Sequence, residues 1–247
     1  MEPRHGIRFC LLLLCLCSTA RSDDRMTMEA KVAGQTVRLG LDTGSERLCL
    51  FDTAARRLGL QVEQPPASAQ PATGKVLFGR TEPCEFEIGC NRLFGPLPVV
   101  TFPGYLQPDV DGVIGWDIIG QGVTVIDSVH KKVSMQKMPF SPEALPDPSA
   151  WSCWKIRPGA HRLIVEIPGG EPTPQTVMID TGSPRGVLLA PHRWQQWVRD
   201  DPHRPATLDA SFQPAVGIVA TEERWASRFT LADMVLHEVP VGQYAAM

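Results

Sequence analysis

The sequence predicts an all-β protein built from two similar lobes. Three observations carry that expectation. An apolar strand runs into Asp-Thr-Gly-Ser at Asp42, and the same pattern returns at Asp180, 138 positions later. The likeness continues downstream: residues 86–99 and 229–241 share one rhythm of apolar and polar residues with a single gap. Finally, 23 prolines and 21 glycines interrupt the 247 residues at short intervals, which suits short strands and turns better than long helices.

In chain order, the first element is a leader. Arg4, His5 and Arg8 precede the apolar run Phe9 to Cys17, and Ser18 and Ala20 supply small residues for cleavage, so residues 1–22 read as a secretory signal peptide. The apolar core is short for a membrane span, and an uncleaved signal anchor is the other reading. Export makes the protein secreted or periplasmic. The first lobe is expected over residues 26–138. Strands at Met28 to Val32 and Thr36 to Leu41 flank the turn Ala33-Gly34, and Arg47 to Phe51 resumes as a strand. Thr53 to Leu58 reads as a short helix. Further strands are expected at Val76 to Phe78, Cys84 to Ile88, Leu97 to Thr101, Val123 to Asp127 and Lys132 to Met135. Residues 139–150 carry four prolines and no periodic pattern, as an exposed linker would. The second lobe is expected over 151–247, with a helix around His192 to Val198.

Composition narrows the function classes. With 43% hydrophobic and 21% charged residues the chain reads as globular, and a formal charge of −3 offers no basic excess for nucleic acid or a membrane surface. Cys49, Cys84, Cys90 and Cys153 outlast the leader and allow two disulfides, with the pairing open. Neither a C-x-x-C pair nor an H-E-x-x-H motif occurs, so no metal site is expected.

The two Asp-Thr-Gly-Ser segments carry the chemistry. An apolar strand before each aspartate is expected to hold its loop rigidly. Glycine allows a sharp turn and close approach of the facing loop, while the threonine and serine hydroxyls suit hydrogen bonds to that loop and to the carboxylate. If the loops meet, Asp42 and Asp180 share one site where both cannot ionise easily, so one stays protonated. Such a pair activates water directly and needs no nucleophilic side chain or cofactor. Asp111, Asp117 and Asp127 read as turn and surface residues, and Trp151 and Trp154 as packing at the lobe junction.

A third segment, Val113-Ile114-Gly115, completes a pattern. A strand with D-T-G, an intervening hairpin, and then two apolar residues and glycine resembles a retropepsin-like aspartic protease lobe. The resemblance covers about residues 28–135, and the second lobe matches from about 162 to 241. It implies a bilobal β-barrel fold with a cleft between lobes and hydrolysis of peptide bonds in a polypeptide substrate. Carried over by residue, Asp42 and Asp180 are the catalytic pair. Thr43, Gly44, Ser45, Thr181, Gly182 and Ser183 shape the loops, and Val113, Ile114 and Gly115 support the first. A flap is implied at about 72–83. That interval lacks the tyrosine of pepsin-like enzymes, so a monomeric tandem of retropepsin-like lobes fits better than a pepsin. Serine after each D-T-G is expected to stabilise the carboxylate charge and favour an acidic optimum. Only six residues follow Val241, with no second apolar-apolar-Gly segment among them, so the second lobe is expected to be truncated or supported differently. The competing functions are a non-catalytic peptide-binding module of the same fold and a homodimer of first lobes.

Overall fold

Alternating burial along residues 27–41 sets the first layer. β1 (Thr27–Val32) and β2 (Gln35–Leu41) pair antiparallel from Thr27↔Gly40 to Val32↔Gln35. The turn between them is Ala33-Gly34, with φ +49° and +77°, left-handed values that suit a tight hairpin. The computed structural model describes residues 26–64, 77–89, 91–102, 109–130, 132–136, 154–167, 175–183, 185–213 and 217–244. The expected leader and linker, Trp151, Cys90, Cys153 and residues 72–76 of the expected flap interval lie outside those residues.

The first lobe continues with β3 (Cys49–Phe51), α1 (Asp52–Arg57), β4 (Val62–Glu63), β5 (Leu77–Thr81), β6 (Cys84–Ile88), β7 (Asn91–Gly95), β8 (Pro98–Thr101), β9 (Gly112–Ile114) and α2 (Trp116–Ile119). β10 (Val123–Asp127) and β11 (Lys132–Gln136) close it as a separate hairpin. The other nine strands form one sheet in the order β4-β5-β8-β3-β9-β2-β1-β6-β7. β9 is the keystone, running parallel to β2 and antiparallel to β3 and so joining the two halves of the sheet. Val37, Leu39, Leu41, Leu50, Phe86, Ile88 and Ile114 fill the core beneath it.

The second lobe is organised differently. β12 (Lys155–Ile156), β13 (Ile164–Ile167) and β14 (Gln175–Met178) make one small sheet. β15 (Val187–Leu189), β16 (Ala206–Gln213), β17 (Gly217–Leu231) and β18 (Met234–Gln243) make another, in the order β15-β18-β17-β16. α3 (Pro191–Asp200) opens with proline at its first turn and buries Trp194, which stacks on Trp197 at 5.7 Å between centroids. Arg204 lies over the Trp197 ring, 3.9 Å from its centroid. Among the described residues no helix is long and apolar enough to cross a membrane.

Several expectations need correcting. Trp154 donates to Asp233 at 3.1 Å, at the β17–β18 turn, so its indole nitrogen has its partner within the second lobe. Cys49 and Cys84 are free thiols, which leaves no room for the two disulfides allowed above. Cys49 lies between β8 and β9 with its thiol pushed up to about 12 by burial, and Cys84 sits 3.9 Å from the Thr81 hydroxyl.

Candidate active site

Each Asp-Thr-Gly loop begins where an apolar strand ends. Leu41 hydrogen-bonds Met26 through its amide, and Ile179 hydrogen-bonds Leu163 in the same way, at 2.8 and 2.9 Å. The aspartates therefore leave equivalent hairpins. Gly44 and Ser45 amides donate to Asp42 Oδ1 at 3.0 and 2.8 Å, and the Gly182 amide donates to Asp180 Oδ1 at 2.9 Å. Aspartate suits the position because its short carboxylate bonds the backbone two residues on.

The threonines bring the loops together. Thr43 Oγ1 donates to the Ile179 carbonyl at 2.7 Å and accepts from the Thr181 amide at 3.1 Å. Thr181 Oγ1 donates to the Leu41 carbonyl at 2.9 Å and accepts from the Thr43 amide at 3.1 Å. The two hydroxyl oxygens are 3.4 Å apart. Thr43 is fully buried although polar, and its donor and acceptor capacity is used. A further bond, from the Leu163 amide to the Thr43 carbonyl at 3.0 Å, joins the lobes beside this pair.

The glycines then set the approach of the carboxyls. A Cβ on Gly44 would lie 2.4 Å from Asp180 Cγ, and one on Gly182 would lie 2.5 Å from Asp42 Cγ. Each loop backbone thus rests directly against the opposite carboxyl, space that only glycine leaves. Burial raises the Asp42 pKa above the ordinary carboxylate value, the charge of Asp180 raises it further, and the Ser45 and Gly44 amides pull against that rise.

Val113, Ile114 and Gly115 lie behind the first loop. The Asp42 amide donates to the Ile114 carbonyl at 3.1 Å, and the Trp116 amide donates to the Ser45 carbonyl at 2.9 Å. A Cβ on Gly115 would stand 2.3 Å from the Arg47 backbone, so glycine is required there by contact. Asp117 is more than a surface residue: its Oδ1 accepts the Leu48 amide at 2.9 Å and pins the chain leaving the loop. Asp111 and Asp127 also brace backbone, through Arg38 and through Val129 and His130. The serines depart from expectation. Ser45 Oγ donates to the Arg47 carbonyl and Ser183 Oγ accepts the Arg185 amide, so neither hydroxyl serves a carboxylate. The backbone turns away after each glycine, and amides take the role expected of the hydroxyls.

One feature of this region was invisible in the sequence. β16 and β17 form a long hairpin, paired from Ala206↔Arg224 to Gln213↔Gly217. Asp209 on β16 meets Arg185, just past the second loop, with Arg185 Nε 2.9 Å from Asp209 Oδ2. The ion pair ties that hairpin to the loop. An alternating polar strand carries no label for such a role, and only the pairing reveals it.

Comparison with known proteins gives a family-model match within the first lobe. Residues 28–118 match the family model described as aspartyl protease. Three solved structures are similar to part of the chain. The retroviral protease-like domain of Ddi1 from Leishmania major is 17% identical, covers 49% of this chain and 96% of its own, with a TM-score of 0.35. The EIAV protease in complex with the inhibitor HBY-793 is 19% identical, covering 42% and 92% at a TM-score of 0.31. A retropepsin-like aspartic protease from Rickettsia conorii is 15% identical, covering 43% and 79% at 0.32. A search of curated protein sequences gave no match.

Proposed function

We propose, for a chain whose residues 28–118 match the aspartyl protease family model, that it hydrolyses peptide bonds with a water activated by Asp42 and Asp180. The observation that carries this reading is the reciprocal approach of the loops, in which each glycine backbone rests on the opposite carboxyl. That approach leaves two carboxyls sharing one proton. Burial biases the proton toward Asp42. The ionised partner takes a proton from water, water attacks the scissile carbonyl carbon, and the protonated carboxyl donates to the carbonyl oxygen. The pair titrates as a unit. As pH rises past the raised pKa of Asp42 both carboxyls ionise, the acid is lost and cleavage falls. The N-terminal residue pattern supports export of the enzyme, to the periplasm or outside the cell.

The test is proteolysis of an unfolded protein substrate by the chain from Ser22 onward, across about pH 3 to 7, the range in which such a pair titrates. Asp42→Asn and Asp180→Asn should each lower the rate by about 10³-fold. Cleavage that survives Asp180→Asn would assign activity to a homodimer of first lobes. A folded wild-type chain that never cleaves would sink the peptidase reading in favour of a peptide-binding module.

A further inference from the structure

Each Asp-Thr-Gly-Ser loop is followed by an arginine at the same step, Arg47 five residues after Asp42 and Arg185 five residues after Asp180. Both stay tied to the serine before them. The Arg47 carbonyl accepts Ser45 Oγ at 3.0 Å, and the Arg185 amide donates to Ser183 Oγ at 3.2 Å. Their guanidinium groups go to different places. Arg185 is 10% exposed with Nε 2.9 Å from Asp209 Oδ2, so its charge is met within the chain. Arg47 is exposed and, with Arg80 of β5, lines a groove of about 410 Å³ on the first lobe. The carboxylate among the lining residues is Asp117, which lies within electrostatic reach of Arg47 and whose Oδ1 accepts the Leu48 amide at 2.9 Å. Two cations and one anion leave the groove an excess of positive charge. Its remaining lining is largely apolar. Phe86, Leu97 and Ile118 are buried, while Leu93 and Phe94 of β7 are 41% and 77% exposed.

We propose that this groove is a second binding site for the polypeptide substrate, taking a segment in which acidic side chains adjoin an apolar one. Substrate carboxylates accept from the Arg47 and Arg80 guanidinium groups, whose planar donors match carboxylate geometry. The apolar side chain covers Leu93 and Phe94. Each part needs the other: an apolar segment alone would bury unpaired arginines, and a basic segment would meet like charge. Position selects a polypeptide among acidic ligands. Arg47 is five residues from Asp42 and so at most about 18 Å of extended chain away. A few extended substrate residues therefore bridge the groove and the carboxyl pair, and this role rests on the Asp42–Asp180 reading above. Holding a substrate in the groove raises its effective concentration at the carboxyls, which lowers KM and leaves kcat unchanged. The preference is one-sided, because Asp209 already neutralises Arg185 on the second lobe.

The probe is a labelled peptide, Gly-Ser-Glu-Leu-Glu-Leu-Gly-Ser, titrated into the full chain carrying Asp42→Asn so that it stays intact. Saturable binding is expected. Replacing both glutamates of the peptide by glutamine should weaken it at least about tenfold, and Arg47→Gln and Arg80→Gln should each weaken it about tenfold. Arg47→Lys keeps the charge and should restore part of the loss. Arg92→Gln is the control: it removes the same charge from β7, but from a guanidinium already held by Glu85 and Glu87, and should leave the affinity unchanged. Equal affinity for the glutamate and glutamine peptides would overturn the site, as would unchanged affinity in Arg47→Gln and Arg80→Gln. Equal weakening by Arg92→Gln would reduce the effect to net charge. Phosphatidylserine vesicles that bind where the peptide does not would make the groove a lipid-surface site and remove the polypeptide. In the cleaving wild-type chain, Arg47→Gln should raise KM for an acidic substrate and leave kcat alone. A chain that binds the peptide but never cleaves leaves this site standing, and a chain that cleaves without regard to acidic residues removes this site alone.

Discussion

The two lobes start from nearly the same hairpin and aspartate loop, yet they hold those loops by different means. In the first, β9 stitches β2 to β3, and the Asp42 loop stands on a continuous nine-stranded sheet. In the second, β14 and β15 belong to separate sheets, and the Asp180 loop is held mainly from the front. The front support is the threonine exchange with the first lobe, together with the Arg185–Asp209 ion pair. A repeated motif therefore does not guarantee a repeated scaffold. The loop chemistry is local to four residues, whereas the backing is supplied by strands distant in sequence.

Core truncation should break the symmetry most clearly. Leu50→Ala removes a fully buried side chain beside β9 and should cost about 3 kcal/mol. Leu188→Ala, at a half-exposed position on β15 of the second lobe, should cost below about 1 kcal/mol. Denaturant unfolding of both variants measures the gap, and equal costs would show that Leu188 is covered in solution. Next in size are the threonines. Thr181→Val strands the Leu41 carbonyl and the Thr43 amide inside the first-lobe sheet and should cost about 2 kcal/mol. Thr43→Val strands the Ile179 carbonyl and the Thr181 amide, which lie nearer solvent, and should cost less. The reverse order in thermal unfolding would mean that the second loop is the more buried of the two.

The smallest effect concerns pH. Asp42 has a raised pKa in the folded chain, so ionising it there is less favourable than in the unfolded chain. Below the unfolded value of about 3.8 both states are protonated and the penalty vanishes, while above the folded pKa the penalty is complete. Asp42→Asn should therefore raise the melting temperature at pH 7 and lose that advantage as pH falls toward 4. A stabilisation equal at both pH values would mean that burial of the charge is not its cause.

Much of the first lobe was legible because its signals are local. The β1–β2 turn, the two Asp-Thr-Gly loops and Val113-Ile114-Gly115 each use residue types that backbone geometry demands. A helix was expected around His192 to Val198, and α3 spans Pro191–Asp200. β7 was not, because Asn91–Gly95 is an exposed edge strand with no buried alternation. The bracing by Asp117 and the tie from Arg185 to Asp209 join residues 69 and 24 positions apart, and neither end looks unusual alone. The serine hydroxyls misled because their identity suggests hydrogen bonding but does not reveal its direction.

The threonine exchange has a kinetic consequence. Its hydrogen bonds join residues 136 to 140 positions apart, among the most distant contacts in the chain. Closing so long a loop carries a large entropy cost, recovered only after both hairpins exist. The aspartates therefore come together late in folding and separate early in unfolding. A nascent or partly opened chain holds two isolated carboxylates of ordinary acidity, with no shared proton. Any hydrolytic capacity of this protein is thereby tied to completed tertiary structure.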